Sequence, residues 1–432
     1  MAGAGNAGAR RIDATGMKER RAMVKGVRTG SLSLVGLALL GFAVTAAASP
    51  GSGIRLGGSS GRLHPYLELE SRWDSNVAFS EQGQATSGFI LHVRPGLVLE
   101  APGDPAALDL RADLDWAQYL GTSSDLSRLY GEAQLGVGVN RKGTLGLELT
   151  DAFRRTSSTT VLNFGGALVS NTNQLDLAVP YRPGGGAFVT TFTGGWALET
   201  YEPFASGRLC PANTPSCDPA LVSKLGYSDL SAGLDLRWKF LPRTAAILQG
   251  EYWTRLPVSS LGAKASGFRA WTGLAGLFTA HLAGTLKGGY GTAYNAPGSI
   301  SSWLANLEAE WLPFETAGLK LGYIHDVGVD PGPDGGYTSH RVYADGHMLF
   351  SGRYTATLDS SFEYRAYPRS SVQAADLFTF GPSVEAEVAR WLRVGAGYAY
   401  TKRTSQLASG TPALPGYRFD KSEVYLRVRG TY

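Results

Sequence analysis

Leu108-Asp109-Leu110-Arg111-Ala112-Asp113-Leu114-Asp115-Trp116 alternates apolar and charged side chains, broken only by the small Ala112. A period of two sends successive side chains to opposite faces of an extended strand, so this stretch reads as a strand with one apolar and one charged face. The pattern recurs on both sides of it. Leu67, Leu69 and Trp73 oppose Glu68, Glu70, Arg72 and Asp74, and Leu230, Ala232, Leu234, Leu236 and Trp238 oppose Asp229, Ser231, Asp235 and Arg237. Near the end of the chain Phe380, Pro382, Val384, Ala386 and Val388 oppose Ser383, Glu385 and Glu387.

Soluble sandwiches alternate too, so length and connections decide. The candidate strands run about 10 to 14 residues, whereas soluble strands run about 5 or 6 and tilted membrane-crossing strands about 9 to 11. Short turns such as Asn140-Arg141-Lys142-Gly143, Ser351-Gly352-Arg353 and Ala389-Arg390 take turns with longer loops near 74–87, 154–171, 203–224, 256–267, 327–337 and 402–418. Short turns at one end and long loops at the other are the asymmetry of a transmembrane antiparallel up-and-down β-barrel. The count comes to about eighteen strands, in a range of sixteen to eighteen, over residues 63–432. No run of 18 apolar residues follows Ala48, so strands are the available way across a bilayer.

The N-terminus supplies the route. Arg20, Arg21, Lys25 and Arg28 precede an apolar run, Ser31 to Ala46, that ends in Ala46-Ala47-Ala48. This is the layout of a secretory signal peptide, residues 1–48, with translation starting at Met1, Met17 or Met23. A Gly/Ser-rich lead-in, 49–62, reads as flexible. Without the leader the chain carries 33 positive and 34 negative groups, so the formal charge of +4 is a property of the leader and a nucleic-acid footprint is not supported. Glycine at 57 residues and charged residues at only 18% also sit badly with a large intracellular enzyme.

Aromatic placement tests the same idea, because interfacial rings gather at the headgroups. Trp303 and Trp311 share a face eight residues apart. That is about 26 Å along a strand and about 20 Å of height at a tilt near 40°, close to the apolar band of a barrel. Trp73, Trp116, Trp238 and the terminal Tyr432 join them as girdle residues in contact with outer-membrane lipid.

If the apolar face meets lipid, the opposite face lines a lumen, and it carries both signs. The basic lumen candidates are Arg72, Arg94, Arg111, Arg128, Arg237, Lys320, Arg365, Arg393, Arg427 and Arg429. The acidic ones are Glu68, Glu70, Asp109, Asp113, Glu132, Glu148, Asp235, Glu308, Glu310, Asp359, Glu363, Glu385 and Glu387. So many ions are incompatible with a dry interior, and a barrel of this size is wide enough to hold water. Mixed charge argues against sharp ion selection and for neutral or mildly charged hydrophilic cargo. Inward Tyr119, Tyr130, Gln134, Gln174 and Tyr425 would follow a sugar chain, or else satisfy neighbouring charges. The 203–224 loop is the candidate to fold in and narrow the lumen, with an ordinary surface loop as the alternative. Within it Cys210 and Cys217 read as a small loop disulfide in an oxidising compartment, with two unpaired thiols as the alternative.

The opening strand Tyr66-Leu67-Glu68-Leu69-Glu70-Ser71-Arg72-Trp73-Asp74-Ser75-Asn76-Val77, followed by Arg94-Pro95-Gly96-Leu97, resembles the start of a family of β-barrel porins. Leu147 to Arg155 is similar in style. Among such barrels, eighteen-stranded members from myxobacteria-like organisms are similar in length, and that resemblance implies polysaccharide export from a Gram-negative cell. It implies a barrel that forms the outer-membrane passage and works with a periplasmic export protein. The alternative within the same physics is a general or solute-specific diffusion porin.

Catalytic constellations are weak by comparison, and the chain reads as a non-enzyme without cofactor or metal. Gly57-Gly58-Ser59-Ser60-Gly61 matches a nucleophile elbow formally but lacks a strand-to-helix context. The six histidines, His64, His92, His281, His325, His340 and His347, show no metal-binding spacing, although His340 and His347 fall where Asp326 or Asp345 is within reach. An outer-membrane hydrolase and a structural barrel with a blocked lumen are the remaining alternatives.

Overall fold

The computed structural model describes residues 51–57, 60–81, 83–158, 168–204, 218–259, 262, 264–295, 298–330, 335–368, 372–407 and 418–432. A two-residue strand, β1 (Ile54–Arg55), lies against the start of β2 (Arg62–Asp74), so part of the lead-in is paired to the barrel rim. The first half of the wall continues through β3 (Gly88–Ala101), β4 (Ala106–Tyr119), β5 (Arg128–Val139), β6 (Leu147–Ser158), β7 (Leu168–Tyr181), β8 (Phe188–Pro203), β9 (Tyr227–Leu241) and β10 (Thr244–Pro257). The second half is β11 (Ala265–Thr279), β12 (Leu282–Asn295), β13 (Gly298–Phe314), β14 (Ala317–Val329), β15 (Gly336–Phe350), β16 (Tyr354–Ala366), β17 (Val372–Ala389), β18 (Leu392–Leu407) and β19 (Phe419–Thr431). Each pairs antiparallel with its sequence neighbours, and β19 closes on β2 through pairs such as Val424↔Trp73 and Val428↔Leu69. The result is a closed eighteen-stranded up-and-down barrel with strands of 12 to 18 residues. Closure leaves the wall without edge strands, the condition for a sheet in hydrocarbon.

Alternation partitions the side chains. On the outer face Leu426 is 63% and Trp303 54% exposed, whereas on the inner face Glu70 is only 2% exposed. Turn chemistry fits the tight end: Ser351 and Gly352 both have positive φ, 54° and 65°, so two of the three residues between paired Phe350 and Tyr354 take the left-handed conformation that lets the chain reverse tightly.

Glycine serves close packing on the inner wall. Tyr66 lies across Gly96 of the neighbouring strand, where a Cβ would stand 2.3 Å from the ring Cζ, and its hydroxyl donates to Asp113 at 3.3 Å. We expect Gly96→Val to cost about 1–3 kcal/mol, since the ring must move. Gly250→Ala, where a Cβ meets nothing within 4 Å, is expected to leave stability unchanged. Urea unfolding midpoints of the two variants in detergent micelles check this.

Candidate functional site

Register, set by the ladder between β19, β2, β3 and β4, brings inward charges of consecutive strands together. Glu423 stands opposite Asp74, Glu70 opposite His92 and Glu68 opposite Arg94. From this follow ion pairs of Arg72 with Glu70 (2.5 Å) and Glu423 (3.0 Å), and of Arg94 with Glu68 (2.9 Å), Glu70 (3.0 Å) and Asp115 (3.0 Å). His92 Nδ1 lies 2.8 Å from Asp115. Lys421 completes the ladder at its upper end, 2.7 Å from Asp74. Glu68, Arg72, His92, Arg94, Asp115, Lys421 and Glu423 border a cavity of about 540 Å³ on the inner wall, which Arg111, Asp113, Glu132, Arg427 and Arg429 also line. Arg429 places its guanidinium 3.8 Å over the Tyr66 ring.

The other lumen candidates form smaller groups on the same face. Glu132 meets Arg154 at 3.2 Å, Asp235 meets Arg237 at 3.0 Å, and Glu308 accepts from Lys320 at 3.0 Å and from the Tyr343 hydroxyl at 2.6 Å. Glu385 lies between Arg393 (3.5 Å) and Arg427 (3.2 Å), and Glu387 is 3.8 Å from Arg393. Asp109 pairs with Arg141 at 3.6 Å near the turn end, Arg111 with Asp113 at 3.9 Å, and Glu363 with Arg365 at 2.6 Å. Asp359 faces Asp345 across the ladder, Glu310 faces Lys320, and Glu148 faces Ala178. Arg128 is tied to the mouth, donating to the carbonyls of Leu126 (3.1 Å), Pro203 (3.3 Å) and Phe204 (2.5 Å). Arg393 and Arg237 keep 53% and 49% of their side-chain surface accessible although they face inward, so open space wide enough for water lies beside them.

Charged residues outside the lumen candidates complete the site. Arg255 binds both oxygens of Asp229, at 2.9 and 3.0 Å, and its guanidinium lies 3.7 Å over the Tyr227 ring. Tyr227 in turn donates to Glu199. All four belong to the inner face of β8 to β10.

At the long-loop end the barrel is narrowed by inward packing. Val77, Phe79, Leu126 and Phe204 gather over Ile90 and Tyr119, with Phe79 edge-on to both Phe204 (5.7 Å) and Phe419 (5.4 Å). A second cluster joins Leu168, Tyr201, Tyr227, Val222 and Leu225, the last two from the helical turns at the end of the 203–224 loop. Cys210 and Cys217 lie outside the described residues, as does Ser59 of the formal elbow motif. The third inward segment was not anticipated. The upper ends of β14 and β15 lean across the lumen, burying Val329 against Trp253, Ala265 and Ala293 of the β10–β12 wall. Asp330 at its tip accepts from Tyr367 (2.7 Å) and pairs with Arg365 (3.3 Å), and burial pushes its carboxyl above the usual range against the pull of Arg365.

On the outer face, Trp73, Trp116, Trp238, Trp303, Trp311 and Tyr432 are all exposed. His325 and His340 share this face in register, stacked at 4.2 Å, with Trp303 4.1 Å from His325. His340 Nδ1 bonds the Tyr323 hydroxyl (2.9 Å), so its described partner is a tyrosine.

No family model matches the sequence, and no curated protein matches it. Among solved structures the chain is similar to the outer membrane protein OpdK from Pseudomonas aeruginosa, at 11% identity and a TM-score of 0.43, covering 86% of this chain and 99% of that one. It is similar to Pseudomonas aeruginosa OccK2 (OpdF) in complex with glucuronate, at 12% identity and a TM-score of 0.45, covering 86% and 98%. It is also similar to the FrpB iron transporter from Neisseria meningitidis, at 8% identity and a TM-score of 0.43, covering 85% and 81%.

Proposed function

We propose that this barrel is an outer-membrane channel for hydrophilic cargo, and that the cargo is a secreted polysaccharide handed over by a periplasmic export protein. The observation that carries the channel is the closed wall with exposed apolar side chains outside and half-exposed ions of both signs inside. Water beside such ions lets a polar chain pass without shedding its hydration, and balanced charge leaves no strong site to hold it. The polysaccharide assignment draws on the resemblance in length to eighteen-stranded exporting members of the porin family that the opening strand resembles, and on the inward tyrosines, which offer ring faces and hydroxyls to sugars. Export would follow removal of the leader ending at Ala48, and the mature barrel would sit among outer-membrane lipids.

Deletion of the gene is expected to abolish or sharply reduce secreted and surface polysaccharide; unchanged polysaccharide removes that cargo. A second reading, a diffusion porin, is favoured by the same half-exposed lumen charges. The aromatic packing at the mouth favours the first. Liposome swelling separates them: we expect the purified barrel to admit small sugars far more slowly than an open pore of eighteen strands, whereas rapid unaided swelling would establish free diffusion.

A further inference from the structure

We propose that the upper ends of β14 and β15 form a two-position strap, held across the lumen by Arg255 and Arg269 in one position and zipped onto a bare edge of β13 in the other. The inference rests on the channel reading and adds a moving part to it.

The β13–β14 ladder runs from Phe314↔Ala317 to Ala305↔His325 and stops there. Above that point residues 298–304 of β13 pair with β12 alone, and residues 326–329 of β14 pair with β15 alone. Two strand segments thus turn bare backbone edges towards each other, and such edges are templates for pairing. Continuing the register would set Leu304 opposite Asp326, Trp303 opposite Val327 and Ser301 opposite Val329.

The inward position is held by side chains that stand in for that missing strand. Arg269 donates to the Val327 carbonyl (2.7 Å) and to Asp326 (3.0 Å), and Arg255 donates to the Val329 carbonyl (2.7 Å). Residues two apart on a strand direct their carbonyls to the same edge. The two guanidinium groups therefore occupy, on the β14 edge, the places that β13 amides would take. Exchange between the positions trades guanidinium donors for backbone amides at the Val327 and Val329 carbonyls, so neither carbonyl is left bare, and the β13 edge gains partners in the zipped position. Packing fits a reversible contact: Val327 rests over Leu304 and Gly291, where a Cβ would stand 2.9 Å from Leu304 and 3.1 Å from Val327. His325 marks the branch point, with Nε2 2.9 Å from the Ser302 hydroxyl and Nδ1 2.9 Å from the Ser339 carbonyl.

Two disulfide traps that share one residue test this in the full mature barrel, refolded into vesicles on a Cys210→Ser, Cys217→Ser background. Val329→Cys with Ala293→Cys traps the inward position, and Val329→Cys with Ser301→Cys traps the zipped one. We expect both pairs to cross-link under mild oxidation, seen as reductant-sensitive shifts on gels. In planar bilayers the Ser301 pair should show at least about twofold higher single-channel conductance than the Ala293 pair, with the difference erased by reductant. The strap is overturned if the Ala293 pair cross-links and the Ser301 pair does not, or if the two trapped forms carry equal, measurable current. Cross-linking in both positions with no current in either supports the two positions and overturns the channel reading instead.

Discussion

Lys421→Met will lower the unfolding free energy of the barrel by about 3–5 kcal/mol, the cost of breaking a buried ion pair from one side. Asp74 is fully buried at the seam where β19 closes on β2, and Lys421 is its counter-ion at 2.7 Å. The other carboxylate oxygen accepts the Asn76 amide at 2.8 Å, and Asn76 ties the chain onward to Ser80 and Asp420. Lys421 also reaches Glu423 at 3.5 Å and lies 4.1 Å over the Phe79 ring. Methionine keeps the apolar stem and removes the charge, so the loss falls on two carboxylates in a poorly solvated corner. Adding Asp74→Asn should restore most of the stability, because replacing both partners removes the unpaired charge. Urea unfolding in lipid vesicles, followed by tryptophan fluorescence, measures the single and double variants. A single variant within about 1 kcal/mol of the parent would mean that the seam pair is water-screened like a surface pair.

How much of this was legible in the chain depends on which contacts are local. Alternation is local, so Leu108 to Trp116 announced a two-faced strand, and alternating connection lengths announced an up-and-down barrel. Pairing of charges is not local: Glu70 meets Arg94 because of the β2–β3 register, which no periodicity states. Strand ends carry little apolar signal where walls rise beyond the apolar band. Ser299 and Ser301 stand at the outward phase of β13 without an apolar side chain, yet the strand begins at Gly298. The inward strap was hidden for a sharper reason. Val327 and Val329 follow the phase of the outward residues of β14, and Trp253, on the inward phase of β10 between Glu251 and Arg255, is a sign that something apolar lies inside. His325 and His340 in the outward phase gave a second hint, that the wall departs from its pattern there.

The alternation that made the fold legible also fixes the second large effect, Leu426→Arg, at about 2–4 kcal/mol in a bilayer, the depth-dependent cost of a cation at the midplane of a barrel's lipid face. Leu426 lies on β19 between Val424 and Val428, 63% exposed and opposite Ser71 and Ala396. It lies six positions before Tyr432 at the turn end. At about 3.3 Å per residue and a tilt near 40° that is about 15 Å of height, the middle of the apolar band. Thr193→Arg is the matched control. Thr193 is exposed but lies on the inner face, next to outward Phe192, so the same guanidinium should meet lumen water and change stability by less than about 1 kcal/mol. A conventional core would penalise Leu426→Arg through lost packing whatever the solvent, but a side chain this exposed has little packing to lose. The penalty therefore has to come from hydrocarbon, and it should shrink when the protein is moved from vesicles into short-chain detergent that lets water reach the belt. Equal tolerance of arginine at both positions in vesicles would mean that the apolar face of the sheet does not meet lipid.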